Sequence, residues 1–279
     1  MDIPFIKIEG LGNDYIYVER ASLGHNIDYR SLARSISDRH FGVGADGLIV
    51  MEKLGPGAAS MVIYNSDGSE AKFCGNGLRG TSLYIKNVYK AKGTSFIVST
   101  RWNDYEITLL KSNKGTARVS AFMGSPSFKP EAVGFRGAGH NCMGVRFRNG
   151  GRSDLLYCLA MPNPQAVIFV DNFDIDWKKG GATIEKSPLF KYGMNVMFTR
   201  VISRNRIEIL PWERGSGATM ACGSGAAAAT IVSNLLELTK GKVTALMPGG
   251  TLITRWDIEG NKVYQEGPTR IAFSGIYNH

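Results

Sequence analysis

Apolar and polar positions alternate along much of this chain, and turn signals cut the alternation into short segments. From Phe5 to Val18 the pattern predicts a strand, a Gly-Leu-Gly-Asn turn and a second strand. Asp28 to Arg39 has the periodicity of a short surface helix, whereas Gly47–Glu52 and Ala59–Tyr64 are apolar enough for strands. The second of these strands runs into Asn65-Ser66-Asp67-Gly68-Ser69, a dense turn signal. Lys92–Leu110 and Gly115–Phe122 alternate with period two and predict strands, after which Ser125-Pro126-Ser127-Phe128-Lys129-Pro130 marks a crossing into a second half. There the predicted strands are Leu155–Met161 and Ala166–Val170 around Pro162-Asn163-Pro164, then Asn195–Val201, Arg206–Leu210, Lys242–Met247, Leu252–Asp257, Lys262–Gln265 and Arg270–Ser274. Phe173–Pro188 is expected to hold a short helix of poor pattern. The last strand is expected to partner the one at Arg118 and so return to the first half.

Two helices are announced by the same local motif. Ala221-Cys222-Gly223-Ser224-Gly225 opens an Ala-rich and Leu-rich segment that reads as a helix to about Lys240, and Phe73-Cys74-Gly75-Asn76-Gly77 precedes the probable helix Leu78–Ile85. Each cysteine therefore falls at a first helical turn. Unpaired N–H groups and the positive end of the helix dipole there are expected to lower a thiol pKa and to seat an anion.

Other landmarks recur at nearly the same offset: Asn13 with Asn163, Gly44 with Gly193, Cys74 with Cys222, Thr100-Arg101-Trp102 with Thr254-Arg255-Trp256, and Arg118 with Arg270. Their shared order predicts a two-fold internal repeat. The expected division is residues 1–122, joined by the C-terminal strand 268–279, and residues 123–267. A chain of 279 residues is long enough for two domains of ordinary size, and 43% hydrophobic residues supply a core for each.

Composition narrows the function classes. The N-terminus lacks a basic start followed by an apolar run, and no stretch reaches the length of a membrane span, so a soluble cytoplasmic protein with no membrane partner is expected. Lys and Arg give a formal net charge of +9 but are dispersed, without a nucleic-acid motif, so nucleic acid is not expected as a partner. Cys74, Cys142, Cys158 and Cys222 show no C-x-x-C spacing, and the histidines at 25, 40, 140 and 279 are scattered, so neither a metal site nor a disulfide framework is expected. Cys142 and Cys158 read as small buried hydrophobes.

Gly12-Asn13-Asp14-Tyr15, Asn65-Ser66-Asp67-Gly68-Ser69 with Cys74-Gly75-Asn76-Gly77, Asn163-Pro164, Gly193-Met194-Asn195-Val196, and Glu213-Arg214-Gly215 with the Cys222 motif together resemble the diaminopimelate epimerase family over essentially the whole chain. The resemblance implies an α+β protein of two pseudo-symmetric half-domains, each a curled, barrel-like mixed sheet around a central helix, with the active site in the cleft between them. It implies an isomerase that needs no pyridoxal phosphate or other cofactor. The reaction would convert LL- to meso-diaminopimelate, a precursor of lysine and peptidoglycan.

Inversion of an α-carbon requires a base on one face and an acid on the other, which a thiolate and a thiol provide. By resemblance these are Cys74 and Cys222. The amides around Gly75-Asn76 and Gly223-Ser224 would hold the α-carboxylate, Arg214 with Asn65, Asn163 and Asn195 the distal amino-acid end, and Glu213 an amine. Asn13 is a further candidate contact with the zwitterionic substrate. Homodimerisation is also implied by the family.

Three positions depart from the family pattern. Gln165 stands where His is usual, Pro162 where Gly is usual, and Gly80 where a further Cys is common. Gln165 lies beside the thiol motif and bears on substrate identity. A racemase acting on another amino acid, such as histidine, would share both cysteines without needing Arg214 and three Asn residues. An isomerase of the phenazine-biosynthesis type would share the fold and lack the cysteine pair.

Overall fold

The computed structural model describes residues 1–24, 26–137, 142–149 and 152–279. The chain divides into two compact units, Met1–Phe122 with Glu266–His279, and Met123–Gln265. Both are α+β.

The first unit contains β1 (Asp2–Gly10), β2 (Asn13–Glu19), α1 (Tyr29–Ser37), β3 (Gly47–Gly55), β4 (Ala58–Asn65), β5 (Glu70–Ala71), α2 (Gly75–Asn87), β6 (Ser95–Ser99), β7 (Asp104–Asn113) and β8 (Thr116–Gly124). Strands β1 and β2 pair antiparallel, β2 and β3 parallel, β3 and β4 antiparallel, β4 and β6 parallel, and β6, β7 and β8 antiparallel. The C-terminal strand, Lys262–Asn278, pairs with both β8 and β1, which closes an eight-stranded mixed barrel without a free edge. Helix α2 fills it, buried from Gly77 to Ile85 and touching β1, β2, β4, β6 and β7.

The second unit contains β9 (Met143–Asn149), β10 (Arg152–Ala160), β11 (Pro164–Phe169), α3 (Trp177–Glu185), β12 (Asn195–Ser203), β13 (Arg206–Glu213), β14 (Gly217–Ala218), α4 (Gly223–Leu235), β15 (Lys242–Met247) and β16 (Gly250–Asp257), before β17, the C-terminal strand already described. From β10 to β16 its pairings repeat those from β1 to β7: antiparallel, parallel, antiparallel, parallel, antiparallel. The two-residue strands β5 and β14 lie against β4 and β13, and α1 and α3 form the crossovers between the first parallel pair of each unit. Helix α4 is the counterpart of α2 and touches β10, β11, β12, β13, β15 and β16. Spacing in the sequence thus reappears as topology.

A helix enclosed by a sheet needs small side chains, and the sequence supplies them. Ala226 to Ala229 are fully buried, and a Cβ on Gly225 would lie 2.2 Å from Met197 Sδ. In α2 a Cβ on Gly77 would lie 2.8 Å from Ile49 Cδ1. The buried hydroxyls of both helices bond their own preceding turn: Thr81 Oγ1 to the Leu78 carbonyl at 2.6 Å, Ser82 Oγ to that of Arg79 at 2.7 Å, and Thr230 Oγ1 to that of Ala226 at 2.9 Å. Outside the barrel, α1 packs Leu32, Ala33 and Ile36 onto Ile16, Val18, Leu48 and Val50. Ile184 of α3 sits in the cluster of Ile168, Val196 and Phe198. Such side chains each contribute about 1.5–3 kcal/mol when removed from water.

Several local expectations are corrected. Lys92–Leu110 is two strands, β6 and β7, because Thr100–Asn103 closes a turn in which Thr100 Oγ1 accepts the N–H groups of Trp102 and Asn103. The segments at Lys262–Gln265 and Arg270–Ser274 are one strand of 17 residues, with Gly267 and Pro268 inside it. Strand β9 was not expected, since Gly144 and alternating arginines mask its pattern. Helix α4 ends at Leu235 rather than near Lys240, where Glu237 at φ 58° turns the chain.

Gly80 has a packing explanation. A Cβ there would lie 2.1 Å from the Tyr17 hydroxyl oxygen and 2.9 Å from its Cζ, and that hydroxyl donates to the Gly77 carbonyl at 2.7 Å. Tyr17 occupies the space that a side chain at 80 would need. Gly80→Ala is expected to destabilise the protein by about 1–3 kcal/mol in urea unfolding, with part of the loss recovered in the Tyr17→Phe background; an unchanged midpoint would contradict this packing.

Candidate active site: two cysteine-capped helices

Each motif cysteine is the N-cap of its unit's central helix. Cys74 has extended backbone angles, φ −145° and ψ 116°, and its sulfur accepts the Gly77 N–H at 3.4 Å. Cys222 has φ −127° and ψ 109°, and its sulfur accepts the Gly225 N–H at 3.3 Å. A thiol thus does the work usually given to Ser or Asp, satisfying one of the helix's orphan donors.

In the first unit the sulfur is surrounded by a polar chain of fixed direction. The two-residue turn Leu11-Gly12, with φ 59° and 82°, delivers Asn13 to the first position of β2, opposite Gly10. Asn13 Nδ2 donates to Asp46 Oδ2 at 2.6 Å, and a carboxylate only accepts, so Asn13 Oδ1 turns toward Cys74 Sγ, 3.5 Å away, and Asn76 Nδ2, 3.3 Å away. Arg79, which is fully buried, donates to Asn76 Oδ1 and fixes that amide in turn. Asp46 is held by the Asp14 N–H at 3.1 Å and by Arg39 at 3.0 Å. Tyr15 completes the group, its hydroxyl acting on Cys74 in favour of the thiolate. Gly75 and Asn76 form the first turn of α2, and Asn65 at the end of β4 bonds Ser69 Oγ at 2.9 Å within its own turn.

The second unit gathers Asn163, Glu213, Cys222 and Ser224, with Gly223 in the helix's first turn. Cys222 is 3% exposed and lies 3.5 Å from Ser224 Oγ. Gln165 Nε2 donates to Asn163 Oδ1 at 2.7 Å and to Ser224 Oγ at 3.0 Å. Glu213 approaches the sulfur from the end of β13 and accepts from Thr219 Oγ1 at 2.7 Å. Asn195, which opens β12, accepts the Arg214 N–H at 2.8 Å, and the exposed Arg214 guanidinium donates to the Tyr192 carbonyl.

The helix ends do not lower the thiol pKa values overall, contrary to the expectation from sequence. Burial pushes the Cys74 thiol up; the Tyr15 hydroxyl, the Gly77 and Asn76 amides and the Arg79 charge oppose this without cancelling it. Burial pushes Cys222 well above the ordinary thiol value, and Glu213 pushes the same way, against Ser224 and the Gly225 amide. Arg79, lowered by burial to about 10, remains a cation at neutral pH. Tyr15, Arg79 and Asp46 were not among the candidate site residues, although Tyr15 stands in the Gly12–Tyr15 motif. A lone Arg in a run of small and apolar residues was the available signal for Arg79.

Among the described residues no group of three or more His, Cys, Asp or Glu is placed to hold a metal ion; His25 and His140 lie outside them. No helix of the described residues is long and apolar enough to cross a membrane. Cys142 and Cys158 are buried, with Cys142 Sγ on the Cys158 carbonyl at 3.2 Å.

The fold is that of the phenazine-biosynthesis and proline racemase-like proteins. The structure resembles the Bacillus anthracis phenazine biosynthesis protein of the PhzF family, with a TM-score of 0.71 over 100% of both chains at 12% identity. It also resembles a hydroxyproline epimerase from Agrobacterium vitis, with a TM-score of 0.69 over 99% of this chain and 90% of that one at 10% identity. At these identities the likeness is one of fold.

The sequence model of the family described as diaminopimelate epimerase matches residues 5–129 and 157–272. Proteins named diaminopimelate epimerase from Desulfitobacterium hafniense and Carboxydothermus hydrogenoformans are 36% and 35% identical to this chain, covering 98% and 99% of it and the same shares of their own lengths. The chain belongs to the diaminopimelate epimerase family.

Glu213 raises the Cys222 pKa, so removing its charge must lower it and increase the thiolate present at a given pH. Glu213→Gln is expected to speed alkylation of Cys222 by iodoacetamide several-fold at about pH 8, read by mass spectrometry of its peptide. An unchanged or slower rate would contradict the electrostatic coupling.

Proposed function

We propose that this protein interconverts LL- and meso-diaminopimelate without a cofactor, with Cys74 and Cys222 as the acid/base pair. The observation that carries the reading is that both units place a cysteine sulfur at the N-cap of their central helix, within a family whose relatives bear this enzyme's name. A thiolate removes the α-proton from one face of the carbon, and the other thiol returns a proton to the opposite face. Each turnover leaves the two sulfurs with exchanged protonation states, so the reverse reaction uses the same pair.

The α-proton of an amino acid is weakly acidic, and the carbanion-like transition state must be stabilised electrostatically. We assign this to N–H groups at the first turns of α2 and α4, around Gly75-Asn76 and Gly223-Ser224, acting on the α-carboxylate. Asn13 and Asn76 sit beside the Cys74 sulfur and would fix the reacting end. At the distal end, Asn195 has its Oδ1 on the Arg214 N–H, which orients its Nδ2 as a donor for a carboxylate. Arg214, Asn65 and Asn163 join it there, and Glu213 takes the ammonium group. The product would enter lysine and peptidoglycan synthesis in the cytoplasm.

The test is α-proton exchange followed by NMR in deuterated water with LL- and meso-diaminopimelate and a panel of single amino acids, under reducing conditions. Exchange confined to diaminopimelate is expected, falling by about 10²-fold or more in Cys74→Ala and in Cys222→Ala. Exchange with a different amino acid would assign the chain to a sister racemase, and full activity in either variant would sink the two-thiol proposal.

A further inference from the structure

Tyr15 and Gln165 hold equivalent places in the two units, two residues beyond Asn13 and Asn163 on β2 and β11. Tyr15 acts on its own unit's cysteine, favouring the thiolate. Gln165 is fully buried and instead donates to Asn163 Oδ1 and Ser224 Oγ, while its Oε1 has no donor among the described residues. The direction of this amide follows from counting. As placed, both N–H bonds find acceptors and one carbonyl oxygen goes without; reversed, two buried N–H donors would be stranded, which is the costlier defect. Ser224 Oγ therefore accepts from Gln165, and its single proton is left for Cys222 Sγ, 3.5 Å away.

We propose that Gln165 is a positioning residue that holds the Ser224 hydroxyl as a hydrogen-bond donor to Cys222, forming a one-way chain of amide, hydroxyl and sulfur that stabilises the thiolate of the second unit. The proposal rests on Cys222 being one of the two acid/base groups. An amide does not titrate in the working range, so the direction of the chain is the same at every pH. The charged group facing Cys222 is Glu213 from β13, which disfavours the thiolate; Met247, at the end of β15, meets the Cys222 N–H at 3.4 Å and carries no charge. The donors toward the sulfur are the Gly225 amide and Ser224. Through its other bond Gln165 holds Asn163 Oδ1, which leaves Asn163 Nδ2 as the end offered to an acceptor on the substrate.

The experiment measures the rate of iodoacetamide alkylation at Cys222 at about pH 8 by mass spectrometry, with the fully buried Cys158 monitored as a reporter of opening in the same unit. Gln165→Leu and Ser224→Ala are each expected to slow Cys222 alkylation about tenfold, the double variant no more than either single one, and Ser224→Thr to retain the wild-type rate. A purely structural role would loosen the site and speed alkylation at both Cys222 and Cys158. If Gln165→Leu exposes Cys158, Gln165→Met, similar in length and without a polar end, is measured in its place. An unchanged or faster Cys222 rate with Cys158 protected, no slowing in Ser224→Ala, or fully multiplicative effects in the double variant would overturn the chain. Alkylation is read without turnover, so such a result leaves the epimerase reading standing, whereas failure of wild-type proton exchange would remove that reading and leave the chain intact.

Discussion

A sulfur that caps a buried helix is under two opposing demands, and the architecture of each unit can be read as the way they are met. As a cap it must accept the N–H three residues on, which Cys74 and Cys222 do at 3.4 and 3.3 Å. In the acid/base role proposed for it, it must be able to ionise, and burial resists this. Glycines follow each cysteine at the helix start, and small residues, Gly77, Gly80, Thr81 and Ser82 in α2 and Gly225 to Thr230 in α4, let the buried helix lie close to the sheet around it. Those small residues, in turn, oblige the surrounding strands to supply the bulk: Tyr17 over Gly80, Ile49 over Gly77, Met197 over Gly225.

The two sulfurs do not have the same surroundings. Cys74 has the buried cation Arg79 and the Tyr15 hydroxyl on its side of the balance, and Cys222 has the Glu213 carboxylate against it. Cys74 is therefore the easier of the two to ionise, although burial raises both thiols. A reaction that needs one base and one acid is served by that inequality better than by two identical sites. It also separates roles within the polar groups: Arg79, Asn76, Asn13 and Asp46 form a chain running from a cation to a carboxylate, so each amide in it has its donor and acceptor ends fixed before any substrate arrives.

Much of this was legible before the fold was known, and the reason is locality. Cys-Gly-x-Gly, Asn-Ser-Asp-Gly-Ser and the paired Asn13 and Asn163 encode turns and caps within a few residues, and their common offset encodes the repeat of strand order. What depended on distant contacts was not legible. The sign of the thiol shifts depends on how deeply each helix start is buried, which its own sequence does not state. Tyr15 and Arg79 look like ordinary strand and helix residues until α2 is placed inside the barrel. The continuous β17 was split by Gly267-Pro268, a reasonable stop signal that pairing with β1 and β8 overrides.

The central claim is that two different groups act on the two faces of one carbon, and the most direct measurement is the position of deuterium early in the reaction. LL-diaminopimelate is converted in deuterated water, and substrate and product are separated and analysed by mass spectrometry at low conversion. Two thiols predict product carrying one deuterium at the inverted carbon while the recovered substrate remains unlabelled, because the proton removed by one sulfur does not return from the other. Label appearing in the substrate as fast as product forms would indicate a single group serving both faces and would contradict the account.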